Sequence, residues 1–450
     1  MLYSSNAFWA SSGYGVQGRS LLPRLAELPE FGGRENIAQF AWYGLQGGQH
    51  DVDGFHIYPA GADPYGNDII GAHTKNFGAN IVVSLIDVWV MKNTAQNIAP
   101  ALWLPWLPVD HFPIPQAVID SLQGAYMPLT YSKWGHKLLK DAGIDNHYIP
   151  HGIETDIYKV LENVDQVQRF KREYLRCEGH LTVMVAANKG YPDRKFFQGQ
   201  LRAWAEFAKD KPLAKLYIHT EPTTKFGGVN LIALAQRLGI AERVIFPNQY
   251  DYWNGFPAQY LAILYNAADA YMGNSMSEGF GIPLIEAQAC GCPVTTTNYT
   301  AMPELVRWGY ALDPLDVIWT PMDAWQAWPD VKAITEALEE LYTQWHDNGD
   351  AWPMAQRLKT SQAIHDDFSW DTIVREQWAP FVTKLAEEAP ALDARFLPAQ
   401  PEPQPEPQPA RKPRVKLVTP EQALGNQIQL SEAKPGLKAL VPPGGTVVAA

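Results

Sequence analysis

Cysteine is scarce in this chain: 450 residues contain three, Cys177, Cys290 and Cys292. An odd number, with two of them one glycine apart, argues against a disulfide framework and offers no zinc-ligand spacing, so they read as buried thiols in a reducing cytoplasm. Long apolar runs are also missing. No stretch reaches the roughly 18 apolar residues of a membrane-spanning helix. The first residues, Met1-Leu-Tyr-Ser-Ser-Asn6, lack the basic region and apolar run of an export signal. A cytoplasmic protein without stable membrane insertion is therefore expected. Positive charge is in deficit: the net charge of −12 repels nucleic-acid backbones and anionic lipid rather than steering towards them.

What is present is apolar and aromatic. Hydrophobic residues make up 46% of the chain and 16 residues are tryptophan, enough to bury cores over most of its length. At this length two domains are expected. Short apolar runs alternate with segments of helical period, which predicts parallel sheets with helices on both faces. In the first half, residues 4 to 9 read as a strand, Gly13-Tyr-Gly15 as a turn and 16 to 28 as a helix. Residues 81 to 87 form a buried strand, 101 to 108 a weaker one broken by prolines, 130 to 142 a helix start and helix, and 147 to 150 a last strand. A second βα series opens at 181 to 187. It continues through strands at 214 to 219, 243 to 246 and 270 to 272, and residues 323 to 386 read as helix-rich. From about residue 390 the composition changes to Pro401-Glu-Pro-Gln-Pro-Glu-Pro-Gln-Pro409 and then Arg411-Lys-Pro-Arg-Val-Lys416, a spacer-like tail expected to be disordered.

The segment from 275 to 297 carries the chemistry. Glu278 and Glu286 stand eight positions apart around Gly279, Gly281 and Pro283, with a helix expected from 282 to 289. Proline suits the first turn because its missing N–H has no partner there. The free amides at such a helix start favour an anion such as a diphosphate, and the two glutamates would flank it as hydroxyl acceptors. Phosphate with polyol on either side describes a sugar nucleotide.

This pattern resembles the retaining nucleotide-sugar glycosyltransferases of GT-B fold, glycosyltransferase family 4, also called glycosyl transferases group 1. Further motifs fall in the family's order: Tyr131-Ser-Lys-Trp134, Tyr148-Ile-Pro-His-Gly-Ile-Glu154, Gly291-Cys-Pro-Val294 and Met302-Pro-Glu-Leu305. The resemblance spans roughly residues 1 to 385. It implies two doubly wound Rossmann-like domains facing across a cleft: an acceptor domain at 1–155, a donor domain at 156–368, a helix at 369–388 packing back on the first domain, and the tail at 389–450.

The resemblance assigns Glu286 to the ribose, Glu278 to the transferred sugar, and the amides of Phe280, Gly281 and Ile282 to phosphate or sugar. In the loop Asn188-Lys-Gly-Tyr-Pro-Asp-Arg-Lys195 it points to Arg194 and Lys195 as cations for the departing diphosphate, with Asn188 beside the donor. Asn188 and Lys189 stand where the family's first arginine is usual, so which of Lys189, Arg194 and Lys195 contacts the diphosphate stays open. Gly13 and Gly15 form either a backbone approach to the diphosphate or a plain turn. His111, with Asp110 beside it, follows a first-domain strand and would meet the donor sugar; a structural histidine is the alternative.

The resemblance further implies a UDP- or GDP-sugar donor, front-face displacement and no bound metal, and no Asp-x-Asp triplet is read at a strand end. The acceptor is a hydroxyl, by family default of a glycan or glycolipid. The proline-rich tail also resembles phage-encoded relatives that modify DNA bases or virion proteins, and a non-catalytic sugar-nucleotide-binding scaffold is the alternative outside enzymes.

Overall fold

The computed structural model describes residues 1–190 and 193–396. The expected proline-rich tail lies outside them beyond residue 396, while the last helix, Ala379–Phe396, runs past residue 388, where the sequence reading ends it.

Eight strands form the first sheet: β1 (Leu2–Asn6), β2 (Ala38–Tyr43), β3 (His50–Val52), β4 (Phe55–Pro59), β5 (Ile81–Leu85), β6 (Leu102–Leu107), β7 (Leu129–Thr130) and β8 (His147–Tyr148), in the order β3-β4-β2-β1-β5-β6-β7-β8. All pairs are parallel except the β3–β4 hairpin. The second sheet contains β9 (Leu181–Val185), β10 (Lys215–His219), β11 (Val244–Ile245), β12 (Ala270–Gly273), β13 (Val294–Thr297) and β14 (Gly309–Leu312), ordered β11-β10-β9-β12-β13-β14 and wholly parallel. The strand order reverses between β1 and β5 and again between β9 and β12. In open α/β sheets such switch points open crevices at the carboxyl ends of the strands, where ligands bind.

The first strand is shorter than the expected 4 to 9. Ala10 N donates to Ala7 O (2.8 Å) and Ser12 N to Ala10 O (2.8 Å), so the chain turns immediately after Asn6. By contrast, the proline-containing β6 forms over all six residues, Leu102–Leu107. Trp103 and Trp106 are buried, and their indole N–H groups reach Ser84 Oγ (2.9 Å) and Ile149 O (2.9 Å). Two satisfied, buried indoles outweigh the ladder bond that Pro105 cannot donate. Residues 325–328, expected within a helix-rich segment, are instead a strand: β15 (Asp316–Trp319) and β16 (Trp325–Trp328) make an antiparallel hairpin belonging to neither sheet.

Several contacts join the two sheets' layers. Arg24 forks onto Glu154 (2.9 Å) and also meets Asp371 (2.7 Å), tying the helix Gly13–Ala26 to the crossing segment and to the helix Trp370–Ile373. Further along, Trp378 packs edge-on to Trp106 at 5.4 Å between ring centroids, and Phe381 stacks on His147 at 4.9 Å. Glu304, in the loop after β13, accepts from the amides of Lys133 (2.9 Å) and Trp134 (3.3 Å), which open the helix Lys133–Asp141 after β7. It thus works as a helix cap supplied from the other sheet. Glu304→Ala should cost about 1 kcal/mol, the usual value of a lost N-terminal cap, read as a lower thermal midpoint; an unchanged midpoint would remove this contact from the forces holding the two halves together.

Candidate functional site

The residues singled out in the sequence follow the strands that border or adjoin the switch points. Gly13 and Gly15 come after β1, His111 after β6, Asn188, Arg194 and Lys195 after β9, and the segment 278 to 286 after β12. The turn after β12 is shaped by its two glycines for different reasons. A Cβ on Gly279 would stand 2.6 Å from Pro108 Cβ, so that glycine admits the first sheet's loop. Gly281 takes φ +119°, a conformation that L side chains rarely adopt, and caps the helix Ile282–Ala289 without a side-chain hydrogen bond.

That missing cap matters. Among the described residues no acceptor is found for the amides of Phe280, Gly281 and Ile282, and Pro283 has no N–H to give. Three amides at the positive end of a helix are an anion-binding arrangement. The helix Gly13–Ala26 differs. Ser12 Oγ accepts from Gly15 N at 3.1 Å, and a Cβ on Gly15 would lie 2.5 Å from Ala10 O. Gly15 therefore serves the turn. Gly13 is exposed and stands against the other helix start, its Cβ position 3.9 Å from Ile282 Cδ1.

Glu278 sits between two cations. Its Oε2 lies 3.0 Å from Arg194 Nη1 and its Oε1 pairs with Lys195 Nζ, while its own N–H donates to Thr300 Oγ1 at 3.2 Å. Burial alone would raise this carboxyl, but Lys195 and then Arg194 outweigh it and hold it at about 2. Lys195 is pushed down by burial against the pull of Glu278, and Arg194, despite burial, is raised by Glu278 and Asp110. Arg194 also donates from Nη1 to Ser277 O. Its Nε and Nη2 have no hydrogen-bond partner among the described residues, which leaves one edge of the guanidinium for an anion. Lys189 is exposed, and its backbone bridges Gly227.

Asn188 is taken up by its own loop. Its Nδ2 lies within hydrogen-bond reach of the carbonyls of Glu221 (3.0 Å), Thr223 (2.9 Å) and Val229 (2.7 Å), and its Oδ1 accepts from Val229 N at 2.8 Å. Its side chain organises the loop and is not free for a donor.

From the first sheet, His111 Nδ1 meets Asp110 Oδ1 at 2.7 Å, and its Nε2 is 2.9 Å from Gln326 Nε2. Asp110 is lowered: its burial is overcome by His111 beside it and then by Arg194 from the loop after β9. Asp87, just past β5, is raised to about 6 by burial and next by Asp110. The hydroxyls of Tyr14 and Tyr131 are both pushed well up, first by burial and then by nearby charge, with Asp87 and Asp110 among the groups that raise them. Asp87 and Gln326 were not among the sequence candidates, while Tyr14 and Tyr131 stood within quoted motifs without a role of their own. Asp87 could have been found, since it closes a clearly readable strand; Gln326 had no motif to mark it.

Glu286 lies in the second turn of the helix Ile282–Ala289 and is buried. Desolvation raises it to about 7, moderated by the hydroxyls of Tyr265, which donates to Oε2 at 3.0 Å, and Tyr158. One Asp-x-Asp triplet, Asp51-Val-Asp53, does lie at a strand end, that of β3. It belongs to the edge hairpin, where Asp51 pairs with His56 (2.9 Å) and Asp53 turns at φ +52°.

Comparison with known proteins finds relatives both in sequence and in fold. Residues 191–351 match the family described as glycosyl transferases group 1. The D-inositol 3-phosphate glycosyltransferase of Segniliparus rotundus is 34% identical over 145 residues, covering 31% of this chain and 29% of that protein. The chain thus spans under a third of the length of this curated relative. Among solved structures, sucrose-phosphate synthase from Thermosynechococcus elongatus superposes with a TM-score of 0.63 at 16% identity over 88% of this chain and 98% of its own. Anabaena HepE in complex with UDP-glucose gives 0.60 at 13% identity, over 86% and 99%. The fold is GT-B, and the match to glycosyl transferases group 1 falls on residues 191–351, which include most of the second sheet.

Proposed function

We propose that the chain is a glycosyltransferase of family 4 that moves a sugar from a UDP- or GDP-sugar to a hydroxyl, by default that of a glycan or glycolipid, with retention of configuration. The observation that carries this reading is the trio of unpartnered amides at Phe280, Gly281 and Ile282, flanked by Glu278 with its two cations on one side and Glu286 on the other. The diphosphate would lie on those amides and on Arg194 and Lys195, whose charge stabilises the departing phosphate. Glu286 would hold the ribose and Glu278 the transferred sugar, with His111 meeting that sugar from the first sheet.

A carboxylate held at about 2 is a weak base, and Glu278 is spent on two cations. The proton of the acceptor hydroxyl is therefore best received by the leaving phosphate on the same face, which is the retaining, front-face course. Fixed cations at the leaving group also support a reaction without an added metal ion. Turnover of a donor panel with and without chelator tests this: product with inverted configuration, or activity abolished by chelator, would overturn the respective part.

Glu286 adds a pH prediction. With its carboxyl at about 7, it is mostly protonated at pH 6 and ionised at pH 8, and only the ionised form accepts from two ribose hydroxyls. Donor affinity should rise about tenfold between those values, following the fraction of competent protein, and Glu286→Gln should flatten the rise. Because the folded carboxyl lies above its ordinary value of 4.5, the folded chain binds the extra proton between that pH and about 7. Stability should fall as pH rises through this window. Calorimetric titration across pH checks the first effect and thermal melts the second; a profile identical in the variant contradicts the ribose role.

A further inference from the structure

The hairpin of β15 and β16 touches both halves of the site. Trp325 N donates to Phe112 O (2.7 Å) and Phe112 N to Trp325 O (3.3 Å), while Ala327 N donates to Met276 O (3.1 Å) in the turn after β12. Strand alternation sends Gln326 to the face opposite Trp325, and Gln326 is 4% exposed. Its amide stands between the halves: Nε2 is 2.9 Å from His111 Nε2 and 2.9 Å from Ser277 Oγ, one residue before Glu278.

A primary amide has two N–H groups and one carbonyl. With the His111 proton placed on Nδ1, towards Asp110 Oδ1, Nε2 is the acceptor; both amide N–H groups are then engaged and the amide is oriented from two sides. Among the described residues nothing donates to Oε1. A fixed, unfilled acceptor between His111 and Ser277, the residue before Glu278, borders the space that the proposed function gives to the transferred sugar, whose ring hydroxyls are donors.

Resting on that reading, we infer that Gln326 Oε1 accepts one hydroxyl of the transferred sugar and thereby selects among donor sugars. Ring epimers and deoxy sugars that lack this hydroxyl leave Oε1 unfilled and are discriminated against, as in other sites built to bind a particular hydroxyl. Gln326 also orients His111, but the specificity lies in its own carbonyl.

The test uses the full chain, calorimetric titration and donor turnover, with UDP-glucose, UDP-galactose, UDP-N-acetylglucosamine, GDP-mannose, free UDP and free GDP as probes. Gln326→Met, similar in length and without the amide, should lower kcat/KM for the preferred donor by about 10- to 100-fold and leave free-nucleotide binding unchanged, which also reports an intact fold. Monodeoxy versions of the preferred donor complete the comparison: the penalty of the variant should vanish for one of them and persist for the rest. An equal loss with every deoxy donor marks Gln326 as a strap between His111 and Ser277 and overturns the inference, as does no loss at all. If the wild-type chain binds nucleotides and their sugars while Gln326→Met behaves identically, only this inference falls; if it binds none of the probes, the nucleotide-sugar reading falls and takes this one with it.

Discussion

Glu278→Gln should lower turnover at saturating donor by about 10²- to 10³-fold, the range typical of deleting one pre-organised polar group at a reacting centre, while the affinity for free nucleotide holds or improves. The split follows from the site's charges. Glu278 is the counter-ion of Lys195 and Arg194, so its neutralisation leaves more positive potential for a diphosphate to meet. The same change removes the acceptor for the sugar's hydroxyls and the partner that aims both cations. Binding and chemistry therefore move in opposite directions. Steady-state kinetics beside calorimetry of UDP or GDP reads both, and a variant within threefold of wild type in turnover would remove Glu278 from the reaction.

Arg194→Ala should be as severe, about 10²- to 10³-fold in kcat, and unlike Glu278→Gln it should weaken free nucleotide too. It also carries a pH signature. Lys195 and Arg194 hold Glu278 at about 2 against its burial; with one cation gone the carboxyl rises. If ionised Glu278 is the working form, the acid limb of the rate profile moves to higher pH. An unmoved acid limb together with unchanged nucleotide affinity would mean that the free edge of the guanidinium faces no anion.

The parts of this architecture that could be read from the sequence are those in which local chemistry and tertiary role coincide. The helix Ile282–Ala289 falls on the expected residues because Gly281, Pro283 and the apolar run after it all specify the same start. The βα rhythm of the second sheet was legible where the same agreement holds: β9 and β10 are short apolar runs, each followed by a helix of ordinary period. Other features depend on partners distant in sequence. The strand Ala38–Tyr43 is made by pairing with β1 and Phe55–Pro59 by pairing with Ala38–Tyr43, and nothing in their short aromatic runs distinguishes strand from loop. The tryptophan-bearing hairpin at 316 to 328 is held by Phe112 and Met276, hundreds and tens of residues away.

Within the site the same division holds. Residues in motifs, Glu278 and Glu286, were found as a pair, yet their different protonation was not readable. Glu278 is held low by cations that arrive from the loop after β9, and Glu286 high by a buried setting with two tyrosines. Asn188 has the composition of a binding residue and spends its amide on its own loop. The need for glycine at 279 comes from Pro108, far away in sequence, which a Cβ there would meet at 2.6 Å.

The most direct test of the central claim is a crystal structure of the chain with UDP or GDP bound. The account predicts the diphosphate within hydrogen-bond distance of the amides of Gly281 and Ile282, with Arg194 or Lys195 on the distal phosphate and the ribose hydroxyls on Glu286. A nucleotide seated elsewhere, or one whose phosphates leave those amides unpartnered, would contradict it.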